Sequence, residues 1–141
     1  MINSLIKLTG HVTVALNGEV VQEIPNLVVT AGKGYVASRM KDTSAGAMSH
    51  MAVGTGSTAA AAGDTTLGTE SGRVALASTT VSGAGITYVA TFPAGTATGA
   101  LTEAGTLNGS SGGTMLCRTV FSVINKQASD SMTISWIITA S

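Results

Sequence analysis

The chain has 141 residues, 44% of them hydrophobic, which is enough for one domain with a real buried core and too few for two. Only 10% of its residues are charged, and seven Lys and Arg balance seven Asp and Glu, whereas ordinary soluble domains carry roughly 25%. A neutral surface dressed with 21 Thr and 15 Ser has little field to hold phosphates, which argues against nucleic acid as a partner, and little charge repulsion to keep copies apart.

From Ile6 to Leu16 the apolar residues Ile6, Leu8, Val12, Val14 and Leu16 alternate with Lys7, Thr9, His11 and Thr13, the period of a strand with one wet face. Asn17 and Gly18 then supply the two residues that tolerate positive φ in a tight hairpin turn. Glu19 to Val29 reads as the returning strand. Pro25 cannot donate to a ladder, so this strand should lie at an edge or break there. Thr30 reads as the N-cap of a short helix over Ala31 to Lys41, with Tyr35, Val36, Arg39 and Met40 on one face. Gly32 and Gly34 each weaken that helix by ~1 kcal/mol relative to Ala, so packing rather than propensity should hold it.

Met48 to Val53 resumes the strand pattern and runs into a long Gly/Ala/Thr loop, Gly54 to Thr69, within the stretch from Met48 to Arg73 around which the rest of the chain is arranged. Beyond it, Arg73 to Val81, a turn at Ser82 to Gly85 and Ile86 to Phe92 form a second hairpin. Ala100 to Leu107 is a weaker strand, and Asn108 to Gly113 is a Gly/Ser turn. The strongest strands close the chain, Met115 to Ile124 and Met132 to Ile138, with Trp136 as the largest core anchor. The total is about eight strands with one short helix after the first hairpin, which predicts an all-β fold: a single antiparallel β-sandwich of jelly-roll type.

No residue constellation spells out a reaction. Gly109-Ser110-Ser111-Gly112-Gly113 matches the spacing of a hydrolase nucleophile elbow, but it leads into a strand rather than a helix, and His11 and His50 both lie upstream. A hairpin turn is the better reading. Gly54 and Gly56 have the start of a phosphate-binding pattern without its third glycine, helix or basic residue, so a plain loop is expected. The two histidines have no third ligand at metal-site spacing. Asp64, Glu70, Glu103 and Asp130 form no paired-carboxylate motif. Arg73, Arg118 and Glu103 fall in strands otherwise poor in charge, where they either make ion pairs within the chain or recognise a neighbouring subunit. Cys117, the only cysteine, allows no intrachain disulfide or thiolate metal cage and suits a small core position in a chain made in a reducing compartment. MINSLIKLTG lacks the layout of a secretory signal, and no apolar run approaches the ~20 residues of a membrane span. Synthesis in a cytoplasm is expected, with no membrane partner.

Three segments carry a family resemblance: NLVVTAGKGYVASRM (Asn26 to Met40), MSHMAVGTGSTAAAAGDTTLGTESGR (Met48 to Arg73) and TEAGTLNGSSGGTMLCRTVF (Thr102 to Phe121). The chain resembles the capsid cement, or decoration, proteins of tailed bacteriophages, over nearly its whole length. The resemblance implies a non-enzymatic part with no cofactor, made in the host cytoplasm, that docks on the outer face of the shell and staples neighbouring capsomers. Its partners would be the major capsid protein and copies of itself, as a homodimer or homotrimer. The resemblance fixes no contact residues. From composition, the expected interface residues are Pro25, Leu67, Glu70, Arg73, Glu103 and Arg118, with β-augmentation at the Pro25 edge and apolar burial at loop tips. A tail-fibre or baseplate component is the alternative. A carbohydrate-binding or hydrolase sandwich is disfavoured by 4% aromatic residues, mostly at core-facing positions.

Overall fold

The computed structural model describes residues 6–141. Ten strands form two antiparallel sheets of five, with one helix after the first hairpin. The strands are β1 (Leu8–Leu16), β2 (Glu19–Pro25), β3 (Leu27–Val28), β4 (His50–Gly54), β5 (Glu70–Ala75), β6 (Ser78–Ser82), β7 (Gly85–Phe92), β8 (Gly99–Leu107), β9 (Met115–Lys126) and β10 (Met132–Ala140); the helix, α1, is Thr30–Lys41. Sheet A has the order β2-β1-β10-β7-β6 and sheet B the order β3-β9-β8-β4-β5. The first strand therefore lies beside the last, while the hairpins β4–β5, β6–β7 and β8–β9 each stay within one sheet.

The expected antiparallel sandwich is what forms, with ten strands rather than about eight because two predicted strands each divide between the sheets. Glu19 to Val29 breaks after Pro25: β2 stays at the edge of sheet A and β3 crosses to sheet B. Arg73 to Val81 breaks at Leu76 and Ala77, whose N–H groups bond the carbonyls of Ser49, just before β4 of sheet B, and of Val89 in sheet A. Asn17 and Gly18 take the positive φ values, 52° and 83°, that the tight turn requires.

The sheets differ in how they are covered. Sheet A alternates: Val12, Val14, Ile134, Trp136, Ile138, Tyr88, Ala90 and Phe92 face the core, while the outer side carries Thr13, Thr133, Ser135, Thr87 and Thr91, with Thr91 and Thr133 hydroxyls 3.1 Å apart. Sheet B is buried on both sides over β4 and much of β8. Its inner side meets sheet A through Met51, Val53, Cys117 and Phe121, and its outer side packs Ala52, Leu107 and Met115 against Val29 and Leu67. A strand buried on both faces has no reason to alternate, which is why Ala100 to Leu107 reads weakly in sequence.

The helix departs from expectation in two respects. Val29, not Thr30, is the N-cap, and it makes no side-chain cap bond. The backbone is satisfied from outside instead: the Thr30 N–H bonds the Ala62 carbonyl at 2.8 Å and the Val29 N–H bonds Leu116 at 3.2 Å. Met40 is not on the packed face with Tyr35 and Val36 but is exposed. Gly32 has a packing role, since a Cβ there would stand 2.2 Å from the Leu116 carbonyl oxygen; the helix lies so close on β9 that only glycine fits.

Candidate functional site

The ionisable side chains that matter gather on the outer face of sheet B, beneath the loop formed by residues 55–69. Glu103 on β8 is fully buried. Its carboxylate accepts the N–H groups of Gly56 (2.6 Å), Thr69 (2.7 Å) and Gly68 (2.7 Å). The neighbouring strand β9 brings Arg118, also buried, diagonally across from it, and Nε and Nη2 both bond Glu103 Oε1, at 3.2 and 3.0 Å. The other side of the guanidinium reaches the loop: Nη1 bonds Asp64 Oδ2 at 2.9 Å and Nη2 bonds the Thr58 carbonyl at 3.0 Å. Asp64 in turn accepts the Ala61 N–H, and Thr102 Oγ1 donates to the Gly56 carbonyl.

This arrangement is an anion cradle closed on the chain's own carboxylate. The glycines are there because the backbone must approach: a Cβ on Gly56 would lie 2.4 Å from Glu103 Oε2, and one on Gly54 2.1 Å from the Thr69 carbonyl oxygen. The Gly54 and Gly56 pattern does point amide hydrogens at an anion, as phosphate loops do, but the anion is Glu103. Burial pushes the Glu103 carboxyl upward, and the three backbone N–H groups with Arg118 outweigh it, so the acid is held below its ordinary 4.5. A carboxylate with its lone pairs so engaged is neither a poised acid nor a base.

A second clamp lies beside the first. Arg73 on β5 bonds both oxygens of Glu70, at 3.0 and 2.7 Å, and its Nη1 holds the Gly109 and Gly112 carbonyls at 2.9 Å each. The Gly109–Gly113 run is thus a hairpin turn gripped by Arg73, with Gly112 and Gly113 at positive φ, and not a nucleophile elbow. Among the described residues no three His, Cys, Asp or Glu side chains stand together as a metal site. His11 is exposed 3.5 Å from Glu23, and His50 Nδ1 shares a hydrogen bond with Ser49. Cys117 is buried, and desolvation pushes its thiol up to about 12. No helix among the described residues is long and apolar enough to cross a membrane.

Of the six residues expected at an interface, Glu103 and Arg118 instead form one buried network within the chain, and Leu67 lies in the small core under the loop. Glu70 and Arg73 pair with each other at the rim. Pro25 and Glu70 are the exposed members of the six, Pro25 at the edge of sheet A with its carbonyl accepting Thr119 Oγ1. The intrachain ion pairs that competed with subunit recognition are therefore the ones the fold makes. Asp64 was not expected in the network; in a chain this poor in charge, an acid in the middle of a neutral loop was the available signal. Comparison with family models, curated proteins and solved structures finds no match to the chain.

Proposed function

We propose that this chain is a non-enzymatic structural protein of a tailed-bacteriophage virion, a cement protein that binds the outer face of the major capsid protein shell and staples neighbouring capsomers. The observation that carries the reading is the locked loop. Residues 55–69 are tied to the sandwich at Gly56, Thr58, Asp64, Gly68 and Thr69 by two buried side chains. A loop already ordered loses little conformational entropy when it docks, so more of its contact energy appears as binding.

Composition and resemblance support the same reading. The charges nearest the loop are consumed internally, leaving a neutral Gly/Ala/Thr surface, and the three segments that resemble cement proteins include the loop and both network strands. Exposed Ile6, Val20, Met40 and Val123 offer apolar area for burial. The protein would be made in the host cytoplasm and act on the outside of the head, with major capsid protein as partner.

The test is its copy number in purified virions, measured by quantitative mass spectrometry before and after heads and tails are separated. A number close to that of the major capsid protein, on heads, is the expected result. A few copies on tails would replace shell stapling with a fibre or baseplate role.

A further inference from the structure

Among the described residues the two sheets end in four edges, and three of them carry features that block the addition of another strand. β2 has Glu19, Glu23 and Pro25 and faces a bulge between Val14 and Ala15. β3 is two residues long. β5 has the Glu70–Arg73 pair and faces a bulge between Val53 and Gly54. These are the devices by which folded proteins protect sheet edges. The fourth edge, β6, has none of them. Its sequence is Ser-Thr-Thr-Val-Ser, all five residues are exposed, its pairing with β7 is regular, and no residue from Val74 to Thr102 is charged.

The direction of its backbone groups follows from the register. The Ala140 N–H bonds the Ala84 carbonyl, so Ala84, Ile86 and Tyr88 turn their polar groups toward β10, and Gly85, Thr87 and Val89 turn theirs toward β6. Their partners Ser82, Thr80 and Ser78 are thereby satisfied. Thr79 and Val81 point their N–H and C=O groups off the edge of the sheet.

We infer that β6 pairs with β6 of a second copy, antiparallel about a twofold axis at Thr80. In that register Thr79 faces the partner copy's Val81 and exchanges both backbone bonds with it, as Val81 does with the other Thr79. Every outward amide of the strand is then used. Thr80 meets its own copy at the close, non-hydrogen-bonded position. A neutral strand suits a like partner because nothing on it repels its copy, and the pairing brings Val81, 71% exposed in the single chain, against the partner's strand. Sheet A becomes one ten-strand sheet across the dimer. The Pro25 edge, where augmentation was expected from sequence, is the worse candidate because proline, two acids and a bulge obstruct it.

This inference takes up the self-association that the family resemblance implies and does not depend on the shell, so it is tested on the purified chain alone. Sedimentation equilibrium from micromolar to millimolar concentration should give a dimer. Thr79→Pro, which removes an outward N–H and no intrachain bond, should give a folded monomer, whereas Val21→Lys on β2 should leave the dimer intact. Thr80→Cys should form an interchain disulfide on oxidation while Ser82→Cys does not, because only residue 80 faces its own copy at Cα distances a disulfide can span. A monomer at all concentrations, a Thr79→Pro dimer, or equal crosslinking of Thr80→Cys and Ser82→Cys would overturn it.

Discussion

Replacing Glu103 by glutamine changes one oxygen for an NH2 group and tests whether the carboxylate holds the loop. The carboxylate receives five hydrogen bonds, three from backbone N–H groups and two from Arg118. The amide has one acceptor oxygen. Placed as Oε1 it keeps Gly68 and Arg118 but turns its own donors on the Gly56 and Thr69 N–H groups; placed the other way it abandons Gly68 and Arg118. Either way at least two buried donors are orphaned at about 1–3 kcal/mol each, and Arg118 retains only Asp64 as counter-ion. Breaking a buried ion pair from one side costs about 3–5 kcal/mol, so the two routes agree. For a domain of this size the loss lowers the melting temperature by roughly 10–15 °C.

The same variant carries a pH signature. A carboxyl held below its ordinary 4.5 contributes stability that is fully present above that value and is lost as pH falls through the folded one. Wild type should therefore lose stability on acidification below pH 4.5 more steeply than Glu103→Gln; Asp42 and Asp130, also lowered, are common to both. Arg118→Met should cost less at neutral pH, because Glu103 keeps its three backbone donors while Asp64 and Thr58 can turn to water. Urea denaturation at pH 7 and below pH 4.5, with hydrogen exchange at Gly56, Gly68 and Thr69, reads all of this. If Glu103→Gln costs under ~1 kcal/mol at pH 7 and those amides stay protected, the cradle does not hold the loop; if Arg118→Met costs more, the ion pair and not the backbone cradle does.

Two glycines in one helix should respond in opposite senses. Gly34→Ala, with nothing within 4 Å of the new Cβ, should stabilise by up to ~1 kcal/mol, while Gly32→Ala drives a Cβ into the Leu116 backbone and should cost about 1–3 kcal/mol; chemical denaturation measures both. Cys117 should resist a thiol reagent at pH 8 in the native state and react fully in denaturant, and rapid native labelling would contradict its burial. Trp136 is fully buried with an indole N–H that has no partner among the described residues. Trp136→Phe gives up volume but also removes that orphan donor, so the expected loss is about 1 kcal/mol, far below the 3–5 of truncation to Ala; circular dichroism melts decide it.

Sheet A was legible in sequence because one of its faces is wet. Val12, Val14, Ile134 and Trp136 alternate with Thr13, Thr133 and Ser135, and Asn17-Gly18 marks its first turn. Sheet B was less legible because neither face is wet over β4 and much of β8, and the cover on its outer side is the loop itself, which has no periodicity to read. The crossing at Leu76 and Ala77 carries no proline, glycine or charge, so nothing in that stretch distinguishes it from the strand on either side.

The expected interface residues that turn inward share one physical cause. Glu103 and Arg118 were recognisable as charges that need partners, but three of the partners of Glu103 are backbone amides, and an N–H looks the same in every residue except proline. Only the glycines at 54, 56 and 68 hint that a backbone must come close, and they do not say to what. Leu67 reads as a loop-tip hydrophobe until the loop is folded back by that carboxylate, after which it becomes core. The charges on β5, β8 and β9 thus mark places where the fold holds itself together. Contact with other molecules should be sought where charge is missing, on the neutral locked loop for the proposed shell contact and along β6 for a second copy.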